Sequence, residues 1–249
     1  MNRLVLIMLL QYVEKYYYIR NVKAKNATKY LLISLLLNWE VQGLNNSWNK
    51  IIYKIGSPIY DKFFNSGMFL NARKQVLQLI PFNSEQKILF VGVGTGADLE
   101  LINYSDLEIT AIDYSPDMLG KARTKFKNSK IKFLEMDAQN MDFEDESFDY
   151  VVASLILSVV PDANQCFLEI SRVLKHEGKI IIFDKFAPKN KKLSLLKVLL
   201  RPIISVLGTD IGRSFEEIIT KNNKSLIVEE DTPVMINGMY RKIVITKVR

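Results

Sequence analysis

Gly92-Val93-Gly94-Thr95-Gly96 is the segment of this chain best suited to hold a ligand. Glycines at alternate positions let the backbone turn sharply and leave no Cβ to keep a ligand away. The loop follows an apolar run, Lys87–Val91, as a phosphate- or nucleoside-binding loop follows a buried strand. Asp113 stands 21 residues after Gly92, at the end of a second apolar run, where a carboxylate can accept both hydroxyls of a ribose. Asp137 ends a third run beside Ala138, where a base would meet the protein. Taken singly, each acid also suits a turn or a helix cap. The three strand ends together single out a nucleoside-containing ligand.

The elements needed to position these groups are legible. Lys87–Val91, Glu108–Asp113, Ile131–Asp137, Phe148–Leu157 and Lys179–Asp184 read as strands, most of them apolar enough to be buried on both faces. Helices are expected over Ala97–Asn103, over Ser115–Phe126 with Ser115 as N-cap and Pro116 in the first turn, and over Asp162–Leu174 with a stop near Gly178. Strands alternating with helices predict a doubly wound, mostly parallel α/β sheet of Rossmann-like form. Ser225–Val234 and Tyr240–Val248, separated by Asn237-Gly238, predict an antiparallel pair closing a seven-stranded sheet.

The spacing of the loop is GxGxG, where a dinucleotide oxidoreductase favours GxGxxG. Together with AIDYSPDML and MDAQNMDFEDESFDYV, it resembles the class I S-adenosylmethionine-dependent methyltransferases over about residues 85–185. The resemblance implies S-adenosylmethionine as cofactor. It assigns Gly92, Gly94 and Gly96 to its methionine end, Val93 and Thr95 to the same cofactor-binding loop, and Asp113 to the ribose. Met118 would flank the adenine with Tyr114 a further cofactor contact, Asp137 and Ala138 would read its edge, and Ser154 would lie near the methyl donor. Two positions depart from the pattern. Phe90 stands where the family has an acid contacting the cofactor's amino end, with Asp98 the nearest carboxylate in sequence. Lys175-His176-Glu177-Gly178 replaces a Pro-Gly-Gly turn, and Gly178 is the residue expected to matter there. His176, the sole histidine, is expected in a surface loop.

The acceptor is read from the flanks. ASLILSVVPD (Ala153–Asp162) and SPIYDKFFNSGMFLNAR (Ser57–Arg73) resemble bacterial phosphatidylethanolamine N-methyltransferases. Quinone methyltransferases are close cousins, but Leu155–Val159 lacks their Phe-Gly-hydrophobic-Arg-Asn stretch. The Asn/Asp-Pro-Pro-aromatic motif of DNA amino-methyltransferases is also missing, and Cys166 lies in an expected helix rather than a nucleophile loop. Tyr60 is the candidate for holding the headgroup or covering the cofactor. Phospholipid methylation is therefore the leading expectation. A quinone precursor or other hydrophobic acceptor, and a non-catalytic cofactor-binding module at the membrane, are the alternatives.

Charge distribution points the same way. Residues 1–87 hold 12 Lys/Arg against 4 Asp/Glu, residues 88–184 hold 9 against 17, and residues 185–249 hold 13 against 6. An acidic centre between basic flanks suits contact with an anionic surface. Leu4–Leu10 and Tyr30–Trp39 are too short to span a bilayer, yet with intervening Tyr and Lys they suit its interface. Residues 1–49 are accordingly expected to be an appendage, with a methyltransferase domain over 50–249. Within that domain a basic and apolar helical insertion is expected at about 188–208. Lys185, Lys189, Lys191, Lys192 and Arg201 are its candidate substrate or membrane contacts. A cytoplasmic protein on the inner membrane face, without nucleic acid as partner, fits these features. With one Cys and one His, neither an internal disulfide nor a His/Cys metal cluster is expected.

Overall fold

A computed structural model describes residues 66–78, 80–187, 209–222 and 225–249. Their elements are α1 (Gly67–Leu77), β1 (Lys87–Val91), β2 (Glu108–Asp113), α2 (Pro116–Lys125), β3 (Lys132–Glu135), β4 (Phe148–Ser154), α3 (Ala163–Val173), β5 (Leu174–Lys185), α4 (Phe215–Asn222), β6 (Leu226–Met235) and β7 (Tyr240–Lys247). The strands form one sheet in the order β3-β2-β1-β4-β5-β7-β6. β1 through β5 pair in parallel, and β7 runs antiparallel to both β5 and β6. This is the expected doubly wound sheet with its antiparallel closure.

Successive strand residues enter opposite cores, as the two-residue period of a strand requires. Leu89, Val91, Val151, Ala153, Ile180 and Ile182 pack on one face with Cys166, Phe167, Ile170 and Val173 of α3 and with Phe215 and Ile218 of α4. Ile88, Phe90, Val152, Ile181 and Phe183 pack on the other with Ala72, Val76 and Leu77 of α1 and Leu119 of α2. Cys166 is fully buried, and burial pushes its thiol far above the ordinary range, so it belongs to the core.

The caps follow sequence logic. Ser115 Oγ accepts from Met118 N at 3.4 Å, with Pro116 opening α2. Asp162 Oδ1 accepts from Asn164 N and Gln165 N at 2.9 and 3.1 Å to start α3. The β6–β7 turn places Asn237 and Gly238 at φ +50° and +82°, the left-handed pair of a tight hairpin.

Three expectations need correction. The helix over Ala97–Asn103 is only a 3₁₀ turn, Leu99–Leu101. Asp98 stands at its N-cap but its side chain caps nothing; its Oδ1 instead faces Arg73 Nε at 3.3 Å. β4 stops at Ser154 rather than Leu157, because Leu155 adopts φ +54° and turns the chain out of the sheet. β5 begins at Leu174, and residues 175–178 bulge opposite Asp149 between the Phe148–Leu174 and Tyr150–Lys179 pairs. Asp149 anchors that bulge through Lys175 Nζ at 2.9 Å and Lys87 N at 2.8 Å. Gly178 is required there: a Cβ would come within 2.9 Å of Asp149 O and Lys175 O. His176 pairs with Glu146 at 3.0 Å in this exposed bulge, beyond the N-terminal end of the parallel strands.

Candidate functional site

The C-terminal ends of β1, β2 and β4 converge on the glycine loop. Gly92 N and Val93 N both donate to Ile112 O, at 2.9 and 3.0 Å, which fastens the loop across the end of β2. Gly92, Gly94 and Gly96 all have positive φ, at +71°, +57° and +85°. Their missing Cβ atoms serve different ends. At Gly92 and Gly96 a Cβ would meet Ile156 at 2.7 Å and the Phe126 ring at 2.6 Å, so these two glycines admit packing neighbours. At Gly94 a Cβ would meet nothing within 4 Å, so this glycine leaves space open to a ligand.

Asp113 is tied to that loop. Its Oδ2 accepts from Gly94 N and its Oδ1 from Ser115 N, each at 2.8 Å. Burial pushes its carboxyl above the usual range, and the Ser115 and Gly94 amides oppose the shift without cancelling it. Each oxygen keeps acceptor capacity beyond one backbone bond, so a pair of vicinal hydroxyls can be received.

On β3's side, Asp137 Oδ1 accepts from Gln139 N at 2.9 Å and Gln139 Nε2 at 3.0 Å. Gln139 Oε1 in turn accepts from Asp162 N at 2.8 Å, which joins the Asp137 turn to the start of α3. Ala138 and Met118 are buried, whereas Tyr114 is 39% exposed on the loop before α2. Thr95, Val93 and Ser154 are buried at the strand ends. The structure thus brings the glycine loop and Asp113 into direct contact, with Ser154 ending the strand beside β1.

A second set of groups fixes the segment that follows β4. Asp184, fully buried at the end of β5, accepts from Ser158 N at 3.0 Å and from Lys185 N at 2.7 Å. Burial pushes its carboxyl up, with the Lys185 charge and the Ser158 hydrogen bonds opposing. Arg213 donates to the carbonyls of Leu157, Val160 and Pro161. Thr209 Oγ1 and Asp210 N both donate to Ser158 O, at 3.3 and 2.7 Å. Gln139, Asp184, Thr209, Asp210 and Arg213 were not picked out by sequence. Only Asp184 carries a signal there, as an acid ending the apolar run KIIIFD.

Lys185 is half-buried rather than displayed. Its Nζ lies 5.9 Å from the Tyr240 ring centre, and burial pushes its ammonium down, with Asp184 and Asp210 opposing. Tyr60, Lys189, Lys191, Lys192 and Arg201 lie outside the described residues, as do the two apolar runs near the N-terminus.

A loop without side chains aimed at open space, anchored to a carboxylate by its own amide, fits a cofactor that carries a ribose. Comparison with known proteins decides which. A 158-residue segment is 33% identical to phosphatidylethanolamine N-methyltransferase of Cereibacter sphaeroides, covering 62% of this chain and 76% of that protein. The chain belongs to the S-adenosylmethionine-dependent methyltransferases. The family described as "Methyltransferase domain" matches residues 89–182, the stretch from β1 to β5. Demethylmenaquinone methyltransferase of Chlorobaculum tepidum is 34% identical over 183 residues, 72% of this chain and 65% of that one. Among solved structures, a Haloferax volcanii methyltransferase in complex with the Trm112 activator superposes with a TM-score of 0.63 at 16% identity, covering 82% of this chain and 97% of that one. The methyltransferase uses S-adenosylmethionine, and the space beside Gly94 and the anchored Asp113 carboxylate suit it. The corresponding acid on β1 is replaced by Phe90, which is 2% exposed and packed in the core.

Proposed function

We propose that the protein methylates the amine of phosphatidylethanolamine or a similar phospholipid at a membrane surface. The likeness to the Cereibacter phospholipid enzyme across 76% of that enzyme's length carries this reading. The ASLILSVVPD segment supports it, because that segment is what Asp184 and Arg213 hold in place beside the end of β4.

S-adenosylmethionine supplies an electrophilic methyl group on a sulfonium sulfur. The chain's contribution is placement: positioning alone can remove about 7–11 kcal/mol of a bimolecular barrier. The acceptor nitrogen must be unprotonated when it attacks, and transfer from water into a desolvated site lowers an amine's pKa. No strong general base is then required. Next to the post-β4 segment, a cleft of about 290 Å³ is lined by Asp162, Asn164, Asp210, Arg213, Glu217 and Lys221, among others. Both signs of charge there suit a zwitterionic phosphoethanolamine head better than an apolar ring. The basic flanks, including residues 1–49 and the 188–208 insertion, would bring the enzyme to anionic lipid from the cytoplasmic side. Among the described residues, no helix is long and apolar enough to cross a membrane.

The Chlorobaculum likeness favours a second reading, methylation of a quinone precursor. Incubation with methyl-labelled S-adenosylmethionine and vesicles containing phosphatidylethanolamine separates the two. Label in mono-, di- or trimethylated phospholipid is expected. Label transferred only to a demethylmenaquinol would overturn the proposal.

A further inference from the structure

The acidic centre of the chain contains a basic flank. Residues 88–184 hold nine Lys/Arg, and six of them, Lys121, Arg123, Lys125, Lys127, Lys130 and Lys132, fall within twelve positions. No acid stands between Asp117 and Glu135. The fold gathers these cations on the second half of α2, the turn after it and the start of β3, which is an edge of the sheet. Arg123 Nη2 donates to Phe133 O at 2.8 Å and ties helix and strand into one corner. Arg123, Lys127, Lys130 and Lys132 are exposed, and Lys121 is half-buried.

Three of the six have a part in the fold. Arg123 and Lys125 lie in the last turn of α2, where cations offset the helix dipole. Lys132 guards an edge strand against pairing with another chain. Lys125 and Lys132 also face Glu100 and Glu108, each at 3.5 Å. Lys121, Lys127 and Lys130 have none of these parts, and their ammonium groups make no ion pair or hydrogen bond among the described residues. Unpaired like charges held this close repel one another, and an anionic surface relieves that repulsion.

The side chains favour lipid over nucleic acid. Five lysines, with one arginine already committed to a carbonyl, offer point charges on long stems rather than planar forks for paired phosphate contacts. No exposed aromatic ring stands among them for a base to stack on, since Phe126 is buried and Phe133 half-buried. The exposed apolar residue of this corner is Leu134, at 38%. Cations beside an aliphatic side chain match anionic headgroups above acyl chains. We propose that the α2–β3 corner docks on an anionic phospholipid surface, with Lys121, Lys127 and Lys130 facing the headgroups. α2 starts at Pro116, just past Asp113, and its ten residues carry the patch about 15 Å away, so the contact leaves the glycine loop open. The contact shares the membrane with the function proposed above and does not depend on which acceptor is methylated.

Co-sedimentation of the full chain with phosphatidylcholine vesicles, with and without phosphatidylglycerol, reads this contact without any methyl transfer. The triple variant Lys121→Gln/Lys127→Gln/Lys130→Gln should bind the anionic vesicles about 100-fold more weakly, with S-adenosylhomocysteine affinity within about threefold of the wild type. A probe locates the contact. Cys166 is fully buried, so a polarity-sensitive, thiol-reactive dye on Asn128→Cys labels the exposed turn alone. Its emission should shift to the blue with anionic vesicles and return as salt rises. Unchanged vesicle affinity in the triple variant, or an unshifted dye while the chain sediments with vesicles, would overturn the docking even where phospholipid is methylated. A wild type that ignores anionic vesicles would overturn it too. Tighter binding to single-stranded RNA than to the vesicles, lost in the triple variant, would overturn lipid as the partner.

Discussion

Replacing Asp113 by Asn separates its role toward the ligand from its role in the fold, because the two carry opposite signs. In the free protein its oxygens accept from Gly94 N and Ser115 N at 2.8 Å each. Burial nevertheless wins over these two bonds and raises the carboxyl's pKa above 3.8. A raised acid binds its proton more tightly folded than unfolded. Asp113 therefore favours folding at low pH, and that contribution is lost as pH rises from the unfolded value through the folded one. Wherever it is ionised the side chain is a net burden, so Asn removes a burden while losing one accepting oxygen. The two changes largely offset, and the melting temperature should move by no more than about 4 °C, equivalent to about 1–2 kcal/mol at this size. Ligand binding has no such compensation. Two ribose hydroxyls donating to an ionised carboxylate contribute about 1.5–3 kcal/mol each, or about 10²- to 10⁴-fold together. Asn turns an NH₂ toward one of those hydroxyls and toward one backbone amide. Calorimetry with S-adenosylhomocysteine should show a loss of at least about 100-fold for Asp113→Asn. In the wild type, affinity should fall as pH drops through the raised pKa while the free protein gains stability; in the variant this component is absent. A change in affinity of less than about threefold, or a melting loss large enough to account for it, would refute this reasoning.

The glycines divide in the same way. Gly94→Ala puts a methyl into open space at φ +57°, so about 1–2 kcal/mol of backbone strain accompanies a marked loss of S-adenosylhomocysteine affinity. Gly96→Ala drives a Cβ to 2.6 Å from the Phe126 ring and adds about 1–3 kcal/mol of overpacking, so its melting temperature should fall further than that of Gly94→Ala. Arg213→Lys replaces a fork holding three carbonyls by a single ammonium, and should lower both melting temperature and methyl transfer while S-adenosylhomocysteine affinity stays within about threefold. Converting Lys189, Lys191 and Lys192 to Glu should cut co-sedimentation with anionic vesicles and flatten its salt dependence, at about 1 kcal/mol for each lysine lost, with cofactor binding unchanged.

The cofactor half was legible because its contacts are close in sequence and carried by residue types with few other uses. Gly94 and Asp113 are 19 positions apart, separated by one crossover. The Ser115-Pro116 start of α2 and the Asn237-Gly238 turn were legible for the same reason: cap and turn chemistry is local. In place of the Ala97–Asn103 helix stands a 3₁₀ turn whose first acid, Asp98, faces Arg73, 25 positions earlier, and periodicity cannot register a long-range ion pair. Lys185 read as a surface cation for a related reason. Nothing in a lysine-rich run announces that its first member turns inward over Tyr240, which arrives from 55 positions later.

The proposed acceptor half is held by still more distant contacts. Arg213 reaches Leu157 across 56 positions, and Asp184 reaches Ser158 across 26. The chain between β4 and α3 takes its shape from Asp184 at the end of β5 and from groups beyond that strand, where members of one fold differ freely in sequence and length. Cofactor recognition and acceptor recognition can therefore vary independently. Changing the segment around 209–213 reshapes the ceiling over the end of β4 without touching the glycine loop or Asp113. On that ground a single chain can resemble a phospholipid methyltransferase at 33% identity and a demethylmenaquinone methyltransferase at 34%. On the proposed reading, Arg213 and Asp184 act on acceptor choice by fixing the residues that follow Ser154.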